Sequence, residues 1–368
     1  MIEVSTDIDF KKELINISNA SLNECMQCGT CSAVCSLSVE DRPFPRKEMI
    51  WAGWGMKDKL MGNPNLWLCH QCGDCSTFCP RNVKPSDVLA SLRQMTYQKY
   101  AKPQFLSALL NRPSLLPIAI LIPVSIILII LKLAGTLKIP EGDISYAAFF
   151  PHGWLNASFT LITFFFYGLF FIGLRKFRID MKKHHVLQNR KVSLIKYMSK
   201  LNKSVLSHSN FSDCEEGSIK KTAHILIFYG FILLIIVTLY AIVAALTNNY
   251  PLGLHNPFKI TGNVAGLMVL TGTILMIFNR LVNKKVYGNS NYADWLFLIS
   301  ILLLTISGGI VEMARFQNWS SAYHLYFFHL VCVWFVIIYL PYTKFGHFVY
   351  RMLALSYIEA IKAENKDQ

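Results

Sequence analysis

The chain has 368 residues, of which 53% are hydrophobic and only 16% are charged. This composition disfavours a wholly soluble protein and favours one that is partly embedded in a membrane. The net charge of +14 would suit nucleic acid, but segment 175–221, between two apolar runs, holds twelve basic residues against four acidic ones. That pattern is typical of a loop on the cytoplasmic side of a membrane, and no nucleic-acid recognition motif accompanies it.

Residues 1–105 are predicted to form a cytoplasmic domain built from helices. The first twenty residues are mixed and polar, which indicates a short amphipathic helix and no cleaved signal sequence. Segment 46–62 repeats its apolar residues at helical spacing, and a further helix is expected to open at Ser86. The N-terminus is therefore expected to stay in the cytoplasm.

Eight of the ten cysteines fall into two blocks, CMQCGTCSAVC at 25–35 and CHQCGDCSTFC at 69–79. In both blocks the cysteines are separated by two, two and three residues, a spacing that wraps three thiolates around one iron–sulfur cubane and sends the fourth to the other cluster. Two [4Fe–4S] clusters are therefore expected, with Gly29 and Gly73 letting backbone amides approach the sulfurs. The predicted ligand sets are Cys25, Cys28, Cys31 and Cys79 for one cluster, and Cys69, Cys72, Cys75 and Cys35 for the other.

Structural zinc is the main alternative for these cysteines, and disulfides are a weaker one. Zinc usually takes separated cysteine pairs in groups of four ligands, which two tandem runs do not resemble. Disulfides are disfavoured in a reducing cytoplasm. His70, inside the second block, is interpreted as a solvated side chain rather than one that tunes the cluster or moves a proton.

Six apolar runs follow, each long enough to cross a hydrocarbon core of about 30 Å. Basic residues cluster at the ends expected inside, such as Arg280 and Arg351, whereas the outer loops carry few. The protein is therefore expected in the cytoplasmic membrane with both termini in the cytoplasm. The runs lie near 114–133, 148–174, 223–247, 261–280, 293–313 and 323–346.

Histidines inside membrane spans are costly and so are functional candidates. His329 and His347 lie eighteen residues apart on the last predicted run. On one continuous helix they would be about 27 Å apart and on the same side. Because two histidines on facing helices commonly hold a b-type haem, two b haems are expected, one near each membrane face.

The partners of these two histidines are chosen by matching depth from the basic residues at the inner ends. His224 is paired with His347 for the inner haem, and His152 with His329 for the outer one. His255 is the main rival of His152 as the fourth ligand. A hydrogen-bonded structural histidine is the alternative at each position.

With these features together, the chain resembles a known family, the C subunits of quinone-interacting membrane-bound oxidoreductase complexes of sulfate reducers and some sulfur oxidisers. Such a protein is similar to a fusion of the small iron–sulfur subunit and the membrane cytochrome b subunit of heterodisulfide reductase. The resemblance spans nearly the whole chain. It is carried by NECMQCGTCSAVC, NLWLCHQCGDCSTFCPRNVKPSDVLASLRQ, FFPHGWL, AHILIFYGF, NPFKITGN and HLVCVWFVIIYLPYTKFGHFVYR.

The resemblance implies an all-α architecture with an α-helical ferredoxin domain at 1–105, a six-helix transmembrane cytochrome b domain at 106–352 and a cytoplasmic tail at 353–368. The membrane half is similar to the gamma subunit of respiratory nitrate reductase, in which one helix carries two haem histidines ten residues apart. Here the residue ten positions after His224 is Leu234, and this departure leaves the fourth ligand open.

The resemblance further implies menaquinone as substrate, two cytoplasmic flavin and iron–sulfur subunits as partners, and a link to adenylylsulfate reductase. Lys259 becomes a candidate to hydrogen-bond a quinone near the outer haem, with an interfacial anchor as the alternative. The expected function is electron transfer between menaquinone and the flavoprotein subunits, with no catalytic residue that forms a covalent intermediate.

Two alternatives stand beside this expectation. The first is a membrane subunit of a heterodisulfide reductase-type complex, whose disulfide chemistry would lie on another subunit because this chain has no adjacent cysteines. The second is a zinc-binding membrane scaffold without a redox role.

Overall fold

The computed structural model describes residues 5–40, 42–184, 194–207, 217–247, 252–253, 255–282 and 291–366. Across these ranges the chain is helical and forms no β-strand, which agrees with the predicted all-α class. Two parts of the predicted basic loop, 185–193 and 208–216, lie outside the described residues.

Within the described ranges, seven α-helices precede the first apolar run: α1 Ile8–Ser18, α2 Thr30–Ala33, α3 Arg46–Gly53, α4 Lys57–Leu60, α5 Asp74–Thr77, α6 Pro85–Tyr100 and α7 Gln104–Asn111. The amphipathic helix predicted at the start is α1, which begins where the Asp7 side chain accepts a hydrogen bond from the Phe10 amide at 2.8 Å. The helix predicted to open at Ser86 is α6. It starts one residue earlier, because a proline is well tolerated in the first turn of a helix.

Six helices of the described chain are long and apolar enough to cross a membrane, as the six runs predicted. They expose large apolar side chains, as helices in contact with lipid do: Phe164 is 75% exposed and Leu161 is 70% exposed. Two shorter helices lie between them, α9 Tyr146–Phe149 and α11 Leu194–Ser207. The long helices are α8 Leu116–Leu133, α10 His152–His184, α12 Gly217–Leu246, α13 Pro257–Val282, α14 Tyr292–Phe316 and α15 Ala322–Tyr339.

The last apolar run is broken near its inner end. α15 ends at Tyr339, and the final helix, α16 (His347–Lys366), begins only after two turns of 3-10 helix. Pro341 accounts for the break, because it lacks the amide hydrogen that a continuing α-helix would use. The expectation that His329 and His347 share one side of a continuous helix is therefore wrong.

One end of the bundle of long helices shares a core with the cysteine-rich part of the chain. Tyr357 of α16 and Met181 of α10 are fully buried in the same hydrophobic cluster as Leu14 of α1. Trp67 stacks on Tyr350 with ring centroids 5.6 Å apart and planes 9° apart, a contact worth about 0.5–1.5 kcal/mol beyond the area it buries. The domain boundaries at 105 and 352 stay predictions, but both ends of the chain contribute to this core.

Candidate functional site

The structure gathers the first predicted set of four cysteines around one cavity. Cys25, Cys28, Cys31 and Cys79 line it together with Arg46 and Arg81; we call it the first cavity. Cys28 is exposed and the other three thiols are partly buried. The first cavity therefore opens towards solvent.

The second predicted set lines a separate cavity, here called the second cavity. Its four cysteines are Cys35, Cys69, Cys72 and Cys75. Cys69 and Cys75 are only 7% and 8% exposed. Asp74 and His70 also line it.

The two cysteine turns share one backbone geometry. Gly29 and Gly73 both have positive φ, 84° and 98°, at the start of α2 and α5. The glutamine two residues before each glycine is also left-handed, with φ 60° at Gln27 and 56° at Gln71. A left-handed residue other than glycine costs about 1–2 kcal/mol. Both turns contain this unfavourable conformation at the same position, where the chain bends tightly around its cysteines.

Hydrogen bonds reach several of the cysteine sulfurs. The Gln71 amide donates to Cys69 Sγ at 3.3 Å, and the Val83 amide donates to Cys79 Sγ at 3.4 Å. Cys28 Sγ lies 3.3 Å from the Thr30 hydroxyl. Donors of this kind stabilise negative charge on sulfur and help to set the potential of a bound cluster.

The electrostatics of the thiols differ with their burial. Burial first, and the neighbouring thiolates next, raise the pKa of Cys31 to about 11 and raise the pKa of Cys75 as well. Hydrogen bonds from Thr30 lower the pKa of the exposed Cys28. A bound metal cluster would offset the repulsion among the buried thiolates, since metal binding favours the deprotonated form.

Among the described residues, no three His, Cys, Asp or Glu side chains converge closely enough to share one metal ion. A single zinc ion would hold its sulfurs about 2.3 Å away, whereas a cubane binds each thiolate to a different iron atom. Four cysteines at each cavity, with the two, two and three residue spacing of both blocks, are the donor set expected for a [4Fe–4S] cluster.

The inner pair of histidines faces across two helices. His224 of α12 and His347 at the start of α16 have ring centroids 6.2 Å apart and planes at 83°. Two imidazoles bound on opposite sides of one metal, at bonds of about 2 Å, would have their ring centres about 6 Å apart. The spacing of this pair therefore fits a metal held between them.

The contacts of His347 also favour the ligand role. Its Nδ1 lies 2.5 Å from the Lys344 carbonyl oxygen, to which it donates a hydrogen bond as the N–H tautomer. That leaves Nε2 with a lone pair, the usual arrangement in a metal-bound histidine. The Lys344 ammonium pairs with buried Asp294, which also binds Arg280 at 3.2 Å. The 3-10 turn Lys344–Gly346, which directly precedes His347, is thus tied to α13 and α14.

The outer histidines are less closely associated. His329 Nδ1 lies 2.9 Å from the Ser307 hydroxyl of α14, and a Cβ on Gly308 would come within 3.2 Å of its ring. His329 therefore packs against α14. His152 is the first residue of α10 and is partly buried, whereas His255 is exposed in a turn.

Lys259 is held by a carboxylate that the sequence patterns did not single out. Its ammonium lies 3.0 Å from Glu312 Oε2, and the Asn263 amide donates to Glu312 Oε1 at 3.1 Å. The group connects α13 and α14 at the end of the bundle opposite to the cysteines. Glu312 is an acid within an apolar helix end, and that placement is the signal that could have identified it.

The interpretation of His70 as a solvated side chain missed its main contact. His70 is partly buried, and its Nδ1 lies 2.9 Å from a guanidinium nitrogen of Arg351. Burial, followed by the nearby charge of Arg93, lowers the pKa of Arg351 to about 10, so it is charged at neutral pH. No local pattern links residues 281 positions apart.

The fold and these cavities define a class: a multi-pass membrane protein with an iron–sulfur domain. Residues 21–83 match the family model of the 4Fe–4S dicluster domain. The match includes both cysteine blocks, so the chain carries a dicluster domain on six apolar helices.

Relatives of known name resemble parts of this chain. A protein of Archaeoglobus profundus, named as like the C subunit of heterodisulfide reductase, is 36% identical over 78 residues, which are 21% of this chain and 42% of that protein. The C subunit of the H(2):CoB-CoM heterodisulfide,ferredoxin reductase of Methanothermobacter marburgensis is 36% identical over 88 residues, 24% of this chain and 47% of that protein. In both cases the chain spans less than half of the relative.

A third relative is similar over a longer stretch. The citrate utilization protein B of Escherichia coli is 25% identical over 284 residues, 73% of this chain and 72% of that protein. A stretch of that length necessarily includes several of the long apolar helices.

Proposed function

We propose that this chain is the membrane-anchoring electron-transfer subunit of an oxidoreductase complex, passing electrons between menaquinone and cytoplasmic partner subunits. The observation that carries the proposal is that one chain holds two four-cysteine cavities and a histidine pair whose rings are 6.2 Å apart, and that Arg351, four residues after His347, donates to the Cys69 carbonyl of the second cavity. Bound [4Fe–4S] clusters and b haems would each supply a centre that holds one electron at a time.

The residues have distinct roles in this proposal. The eight cysteines of the two cavities hold the two clusters. His224 and His347 hold the inner haem, and Lys344 fixes the tautomer of His347 through its carbonyl. His329, oriented by Ser307, is one ligand of the outer haem, with His152 as its proposed partner and His255 as the alternative.

Lys259 and Glu312 are the proposed quinone contacts. A lysine ammonium can donate a hydrogen bond to a quinone carbonyl. Oxidation of a quinol releases two electrons and two protons, and the Glu312 carboxylate can accept one proton at the end of the bundle away from the cysteines. The same groups serve in reverse for quinone reduction.

Lys259→Ala and Glu312→Gln are expected to slow haem reduction by menadiol at least tenfold, with clusters and haems retained. Lys138→Ala, which removes another basic residue of the outer side, is the matched control. Rates unchanged in both variants would reject the assignment of these residues to the quinone.

The proposed partners are two cytoplasmic flavin and iron–sulfur subunits, with adenylylsulfate reductase as the linked enzyme; the family resemblance supports this choice. A heterodisulfide reductase-type complex is the second candidate, because two relatives carry that name over the dicluster domain. Reconstitution of the full complex separates the two. Menaquinol-dependent turnover with adenylylsulfate reductase supports the first, and turnover only with a heterodisulfide supports the second.

The test of the cofactors is anaerobic purification of the full chain in detergent, with oxidised and dithionite-reduced optical spectra and iron, zinc and haem measured per chain. About eight non-haem irons and two b haems are expected. His152→Ala and His255→Ala then assign the fourth ligand, since only one of them should lose the outer haem. Zinc in place of iron, or a reduced spectrum without a haem band, would instead support the scaffold.

A further inference from the structure

The turn that carries Cys69 is held by two cations, one from the start of the membrane helix α12 and one from the final helix α16. We call residues 68–71 the second-cavity turn. Arg351 donates to the Cys69 carbonyl at 3.2 Å and to the Leu68 carbonyl at 3.5 Å. Lys220 donates to the Gln71 carbonyl at 2.9 Å and to the His70 carbonyl at 3.4 Å.

Each of these two cations lies four residues from one histidine of the inner pair. Lys220 precedes His224 by four residues on α12, and Arg351 follows His347 by four residues on α16. Residues four apart lie on one face of a helix, about 6 Å along its axis. Each histidine therefore has a cation one turn nearer to the cysteine domain, and both cations hold the same turn.

The positive charges around the second-cavity turn also suit a bound cluster that gains an electron. Arg93 adds a third cation, which donates to the Leu66 carbonyl at 3.0 Å and to Gln71 Oε1 at 3.3 Å. Asp74 is an acid on the lining of the second cavity. A [4Fe–4S] cluster with four thiolate ligands carries net negative charge that grows on reduction, so nearby cations favour its reduced form.

We propose that Arg351 and Lys220 are positioning residues that seat the second-cavity turn upon the His224–His347 pair, so that the second cavity is the one that exchanges electrons with the membrane bundle. The first cavity, with its exposed Cys28, then faces the soluble partner. This inference rests on the proposed function. It adds the order in which the centres exchange electrons, and it names the residues that maintain that order. Transfer moves one electron at a time, oxidising one centre and reducing the next, with no bond formed or broken.

The test compares variants of the full chain, purified anaerobically with measured iron and haem. Arg351→Gln should make the midpoint potential of one cluster more negative in an EPR-monitored titration and leave the other unchanged. The Lys220→Gln and Arg351→Gln double variant should slow haem reduction by the clusters at least tenfold after a flash of photoreductant. Arg351→Lys keeps the charge but not the paired contacts, so it should hold the potential and still slow the transfer.

Lys362→Gln is the matched control, because it removes a cation of the same helix that is exposed and paired with Glu359. Unchanged potentials and transfer rates in the double variant, or a shift that appears equally in the control, would overturn the proposal. If Arg351→Gln loses iron, Arg351→Lys and Lys220→Gln give the transfer rates on intact clusters. Wild-type chain without haem would reject the haem part of the proposed function, and the cluster potentials would still test the role of Arg351.

Discussion

The two cysteine cavities have the same ligand pattern and opposite surroundings. The first holds an exposed cysteine, Cys28, and opens to solvent between Arg46 and Arg81. The second buries Cys69 and Cys75, and its turn is hydrogen-bonded by Lys220 of α12 and Arg351 of α16. Identical spacing therefore predicts the same kind of cofactor in both, whereas packing against the rest of the chain distinguishes the two cavities and supports the proposed order of electron transfer.

Removal of one ligand from each cavity should separate the two roles most strongly. Cys75→Ala and Cys28→Ala are each expected to lower non-haem iron from about eight to about four per chain. Only Cys75→Ala should abolish reduction of the remaining cluster by the haems when electrons are supplied from the membrane end by menadiol. Iron analysis and the rate of reduction of the remaining cluster measure this. Equal loss of cluster reduction in both variants would contradict the order of the cavities.

The histidine pair beneath the second cavity can be tested by haem content. His347→Ala should reduce haem from about two to about one per chain and remove the haem component next to the second cavity. His324→Ala on the exposed face of α15 is the control and should keep both haems. A full haem complement in His347→Ala would assign the inner haem to other residues.

Exposure should make the first cluster the more fragile of the two. Ferricyanide with a chelator is expected to remove iron from the first cavity several times faster, because Cys28 is accessible and Cys69 and Cys75 are buried. EPR during the exposure identifies which cluster signal decays. Equal decay of both signals would mean that burial does not distinguish the cavities in solution.

The smallest effect concerns the strained glutamines of the two turns. Gln27→Gly should be neutral or stabilise the first cavity by up to about 1 kcal/mol, because glycine adopts positive φ without the strain. Gln71→Gly relieves the same strain but loses the bond from Arg93, so its gain should be smaller or absent. The midpoint of thermal bleaching of the cluster absorbance measures both, and a larger gain at Gln71 would contradict the role of that bond.

Most of the fold could be predicted from local patterns in the sequence. Apolar runs predicted the six long helices, and the repeated cysteine spacing predicted the sets that line each cavity. Counting from basic residues brought His224 and His347 together as a pair, although the helix that was expected to carry His347 is interrupted at Pro341.

Contacts between distant segments were not predictable in this way. Two features depend on how the final helix packs back onto the start of the chain. Arg351 donates a hydrogen bond to the second-cavity turn, and Tyr357 is buried in the same hydrophobic cluster as Leu14. Glu312 was missed for the same reason, since its role appears only when α13 lies beside α14. Periodicity defines which face of a helix is buried, but not which partner covers it.

The order of centres can be tested most directly by the spin relaxation of the two reduced clusters, measured by pulsed EPR after the oxidised protein has been reduced by ionising radiation in the frozen state, which traps reduced clusters beside inner haem that is still ferric. The account predicts that the cluster of the second cavity relaxes faster because of the nearby paramagnetic iron, and that His347→Ala abolishes this enhancement. Fast relaxation of the cluster assigned to the first cavity by Cys28→Ala, or no difference between the clusters, would contradict it.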